Sequence, residues 1–156
     1  MKWIDWLNKW KFNCLKIKAP FLEMEWAPQE ADKKAAWELY IELLTRVATQ
    51  QLPQDHGNEE ATLKSIYSLF DITRDVIKRN GKECKEFTKI AVVVLNQVIR
   101  PFTSKWHKKM ITQEIKVNNS HKQFYEELIE LQLSLKTYTR MLAEMAEVED
   151  LTDLET

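Results

Sequence analysis

The residues best suited to chemistry stand in one short stretch. Arg100-Pro101-Phe102-Thr103-Ser104-Lys105-Trp106-His107 sets an arginine and a histidine seven positions apart. A guanidinium can hold a phosphate through two parallel hydrogen bonds, and an imidazole moves protons near neutral pH. Such a pair can act on a phosphodiester through general acid–base steps alone. Lys105, Lys108 and Lys109 add attraction for phosphate. On a straight helix, seven steps of about 1.5 Å hold the two Cα atoms about 10 Å apart. One phosphate meets both side chains only if Pro101 bends the chain or a second protomer contributes.

Other catalytic templates are missing. Two glycines, 24 positions apart, cannot form a phosphate-cradling loop. Three histidines and two cysteines fall in no zinc spacing, and no glutamate stands three residues before a histidine, as helical di-metal sites require. No nucleophile–histidine arrangement is readable. The sequence therefore implies no metal and no cofactor.

A second candidate is a stripe of tryptophans. Trp3, Trp6, Leu7 and Trp10 recur at helical spacing within residues 2–14, with Lys2, Lys9 and Lys11 beside them. Tryptophan rings suit the headgroup depth of a membrane, and they equally suit anchoring in a partner's groove. The same stripe could also pack on its own domain. Leu15 to Lys18 alternates with period two, Ala19-Pro20 interrupts it, and the segment up to Trp26 reads as an extended arm or small hairpin.

The remaining chain must position these groups. Only two glycines and four prolines occur in 156 residues, too few for the tight turns of a sheet protein. The expected fold is all-α, a bundle of about four long helices: 28–50, 58–80, 82–99 and 121–147, with a shorter helix over 101–115. Pro28 suits a first turn, Asn80-Gly81 a C-terminal stop, and Asn118-Asn119-Ser120 a loop. Residues 52–57, with Pro53, Asp55 and Gly57, read as a connection. The run 90–99 is so apolar that its helix should be central, with a break or kink at Pro101. Leu128, Leu131, Leu135, Tyr138 and Leu142 follow a heptad seam, read either as internal packing or as a self-association surface. The domain division is an arm at 1–26, a bundle at 27–147 and an acidic, frayed tail at 148–156.

Net charge is near −1, which excludes a globally basic nucleic-acid binder. Its distribution is uneven. Residues 1–18 carry five lysines and one aspartate, whereas residues 141–156 carry six acids and no base. Cys14 and Cys84 suggest no disulfide framework, and no run is long enough to span a bilayer. A cytoplasmic protein is expected, membrane-peripheral if residues 2–14 lie on lipid.

The Arg100 to His107 spacing in an all-α chain resembles the signature of the HEPN superfamily, helical bundles with an arginine, four to six residues, then a histidine. The resemblance implies metal-independent endoribonuclease activity with Arg100 and His107 as the pair, RNA as substrate, a dimer that brings two motifs together, and a role in bacterial antiviral defence. Three functions are thus in contention. The first is a non-catalytic interaction module, an accessory subunit of a larger bacterial assembly, bound to another protein or to itself. The second is the endoribonuclease. The third is a peripheral membrane protein anchored by the tryptophans.

Overall fold

The computed structural model describes residues 1–46, 59–112 and 118–155. Seven α-helices are described: α1 (Trp3–Lys9), α2 (Ala19–Leu22), α3 (Glu30–Leu44), α4 (Glu59–Asn80), α5 (Lys85–Val94), α6 (Arg100–Ile111) and α7 (Asn118–Ala146). Among the described residues β pairing is confined to one isolated bridge between Lys2 and Glu25. The fold is all-α, as composition requires. The expected connection at 52–57, the last residues of the 28–50 helix and Asn58 lie outside the described residues.

Helix α3 packs along α7 and also against α4 and α5. Its buried face is Ala35, Ala36, Leu39, Tyr40 and Leu43. Trp37 and Ile41, on the same helix, are exposed. Asp32 links two helix starts from inside the core. It is fully buried; one carboxylate oxygen accepts the Gln29 N–H at 2.8 Å and the other the Phe87 N–H at 3.0 Å. It thus satisfies orphan donors at the N-termini of both α3 and α5.

Helix α5 differs from expectation in two ways. Phe87, Ile90, Ala91 and Val94 are buried, but Val92 is exposed, so α5 is not enclosed on all sides. Nor does the chain break at Pro101. Leu95–Ile99 forms a π-helical turn, with the Arg100 N–H bonded to the Leu95 carbonyl, and α6 then runs on through Pro101. The wider turn shifts the register, so proline enters at the first turn of α6. There its missing N–H is tolerated and its ring meets no carbonyl of a tight preceding turn.

Helix α7 starts at Asn118, earlier than the loop expected there. Leu128, Leu131, Leu135, Tyr138 and Leu142 are all buried among the core side chains of this one chain. Burial raises the Tyr138 hydroxyl well above the ordinary tyrosine range. Glu147, in the left-handed region at φ 59°, ends the helix, with the Val148 N–H returning to the Ala143 carbonyl at 3.1 Å.

The tail is held rather than frayed. The Tyr40 hydroxyl accepts the Leu151 N–H at 2.7 Å and donates to the Glu149 carbonyl at 3.2 Å. Arg140 grips Asp153 at 2.8 and 2.7 Å. Of the acids expected to fray, Asp153 finds Lys136 and Arg140 on α7, and the backbone at Glu149 and Leu151 is tied to Tyr40 on α3.

Candidate functional site

The N-terminal arm shares the core of the bundle. Trp3, Trp6, Leu7 and Phe12 are buried with the helices, and Trp10 packs partly against them. Trp6 meets Trp3 edge-to-face at 5.3 Å and lies tilted on Trp26 at 4.9 Å. Their polar edges are answered by acids of the bundle: Trp3 Nε1 donates to Glu86 at 2.7 Å and Trp6 Nε1 to Glu144 at 2.6 Å. Lys9 joins Glu144 at 2.6 Å, and Trp10 Nε1 reaches it at 3.4 Å. Of the three settings open to the stripe (lipid, a partner's groove, its own domain), it takes the last. A tryptophan satisfied at both its ring and its N–H has little reason to leave. The seam on α7 is likewise internal, its residues buried among the core side chains. The boundary at residue 26 separates no independent unit.

The segment after α1 is neither a hairpin nor simply extended. Pro20 starts the short α2 rather than breaking the chain, and the Trp3 N–H donates to the Met24 carbonyl at 3.0 Å. Gln97, in the π turn, clamps the arm by accepting the Lys16 N–H at 2.7 Å and donating to the Lys16 carbonyl at 2.8 Å.

Arg100 and His107 are both exposed on α6. Seven residues of regular helix return to within about 20° of the same direction, so both face α4. The Arg100 guanidinium lies 4.7 Å over the Phe70 ring, and its Nε donates to Asn96 at 3.2 Å. The His107 ring stacks on exposed Tyr67 at 6.2 Å, and Tyr67 lies 5.6 Å from Phe70. Arg74, from α4, also stands over Phe70 at 6.0 Å. The result is a ledge of two rings carrying cations at one end and an imidazole at the other. Because α6 is unbroken at Pro101, the bend that would bring the pair onto one phosphate is absent.

The three lysines divide between roles. Lys105 is paired with Glu127 at 2.5 Å and stands over Trp106 at 5.1 Å, and Lys109 stands over the same ring at 5.0 Å. Lys108 is exposed beside His107. Trp106 itself is fully buried and donates to Glu127 at 3.3 Å. Phe102, Lys105 and Trp106, within the stretch that looked catalytic, thus anchor α6 to α7. Among the described residues, no group of three or more His, Cys, Asp or Glu side chains could hold a metal ion.

A surface not foreseen from the sequence lies on the other side of α5. Trp3, Ile17, Phe21, Leu22, Val92 and Val93 line a groove of about 400 Å³ whose walls are almost wholly apolar. Phe21 and Val92 are largely open to solvent there. Lys16, Lys18 and Lys89 stand at its rim. Lys89 is paired with Glu86 at 3.2 Å, but among the described residues Lys16 and Lys18 form no ion pair. The only foretaste in the sequence was the alternation Leu15-Lys16-Ile17-Lys18. It placed apolar and basic side chains on opposite faces but gave no sign of what the apolar face would meet.

No family model, no curated protein and no solved structure matches this chain. Among the described residues no helix is long and apolar enough to cross a membrane.

Proposed function

We propose that this chain is a non-catalytic helical interaction module, an accessory subunit that docks a partner protein in the α1–α2–α5 groove. The observation that carries this reading is the groove itself, a concave apolar surface left open by a fold whose other large apolar side chains are mostly internal. Open apolar surface of this kind marks a binding site, and rimming charges give it a preferred approach. A concave wall takes inserted side chains, whereas a bilayer needs a protruding anchor, and Trp3 and Trp6, which would have served, are buried. The test is a photoreactive phenylalanine analogue at Val92 in the cells that make the protein. A protein adduct that Lys16→Glu suppresses supports the reading. No adduct at Val92, with the protein folded, overturns it.

A second reading has its own observation. Arg100 and His107 share one exposed face beside a stackable tyrosine, which suits a metal-independent endoribonuclease in which two copies of the motif meet on one RNA. Pure protein incubated with RNA and excess chelator would then cut it, and His107→Ala would abolish cutting. RNA that stays intact removes this reading and leaves the docking module.

A further inference from the structure

We infer that the groove takes the acidic segment 147–155 of a second copy of this chain. The inference rests on the docking reading of the groove and names its occupant. Residues 1–18 are basic and residues 141–156 acidic. The fold neutralises part of this charge internally: Lys9 pairs with Glu144, Lys33 with Glu147, and both Lys136 and Arg140 with Asp153. Unpaired charge of each sign is left over. On the basic side, Lys16 and Lys18 form no ion pair among the described residues, and both edge the groove. On the acidic side Glu149, Asp150 and Glu155 likewise form none.

The acidic segment also carries apolar side chains suited to the groove. Leu154 is 71% exposed and Val148 37%, and they stand among those unpaired acids. Leu154 is the most exposed large hydrophobic side chain among the described residues. An apolar residue flanked by carboxylates matches an apolar trough flanked by ammonium groups. The groove cannot pair with its own copy, since lysine rim would then face lysine rim.

Both surfaces are held in place before they meet. Gln97 fixes the Lys16 backbone from both sides, and Tyr40 and Arg140 fix the segment up to Asp153. Little ordering entropy is then lost on contact, which favours association. The two patches share no residue, so the contact is between unlike surfaces. It either closes reciprocally in a dimer or repeats along a chain of copies.

The test uses the full chain in sedimentation equilibrium over a wide concentration range. Concentration-dependent association is expected, weakened by salt. Lys16→Glu with Lys18→Glu should raise the dissociation constant about tenfold or more, as should Glu149→Lys, Asp150→Lys and Glu155→Lys together. Mixing the two variants in equal amounts should restore association, because each reversed surface then meets its reversed complement. All five positions are exposed, and circular dichroism checks that the helices remain.

A chain that stays monomeric overturns the inference, as does association indifferent to either reversal, or a mixture that fails to restore it. The Val92 photoadduct separates the two claims. An adduct of two copies supports self-docking, and an adduct with a different protein from a monomeric chain ends the self-docking claim and keeps the module. Adsorption of monomer to anionic vesicles that depends on Lys16 and Lys18 would instead assign the groove to lipid and overturn both.

Discussion

Replacing Trp6 by alanine tests whether the N-terminal arm is part of the folded core. The side chain is fully buried, packed on Trp3 and Trp26. Deleting a buried indole removes its transfer free energy and leaves a cavity, a loss of about 3–5 kcal/mol. Glu144 keeps Lys9 and Trp10 as donors, so no unpaired acid adds to the cost. Domains are stable by about 5–15 kcal/mol, so the change removes a large fraction of the total. For a chain of this length each kcal/mol lowers Tm by about 2–4 °C, which predicts a fall of about 6–20 °C. Urea unfolding followed by circular dichroism should show a lower midpoint with an unchanged slope. Trp37→Ala, at a half-exposed ring on α3, should stay within about 0.5 kcal/mol. A Trp6→Ala cost below about 1 kcal/mol would contradict burial of the arm in the core. The arm would then rest loosely on the bundle and could reach lipid or a partner cheaply. At the expected cost, undocking it would weaken any such binding by about two to four powers of ten.

Three further outcomes follow from the same contacts. Asp32→Ala leaves the Gln29 and Phe87 N–H groups without their buried acceptor and should cost about 2–5 kcal/mol, read by the same urea titration. Tyr138 has a hydroxyl raised by burial, so the folded state keeps a proton that the unfolded chain releases above its ordinary value near 10. Stability is therefore intact below that pH and should fall as pH rises beyond it; Tyr138→Phe should flatten this alkaline loss, measured as the urea midpoint against pH. Gln97→Ala should speed amide exchange at Lys16 and its neighbours while leaving protection in α3 and α7 unchanged, because it frees the clamp on the arm without touching the core.

The helical character of the chain was legible because it depends on local quantities. Scarce glycine and proline, and apolar residues at helical spacing, decide between helix and sheet without knowledge of neighbours. The apolar seam of α7 could be read the same way, as could the turn at Gly81, whose φ of 79° suits glycine. Which amphipathic face meets which surface could not be read, because burial depends on elements distant in sequence. The tryptophan stripe of α1 would look the same whether it faced lipid, a partner or α7. It took Glu86 and Glu144, 83 and 138 residues away, to fix it inward. Pro101 marked a disturbance at the right place. Whether the disturbance became a break or a π turn depended on the packing of Ile99 and Phe102 into the core. The groove was invisible for a related reason. A concave surface exists only once α1, α2 and α5 stand side by side, and no single segment carries its pattern.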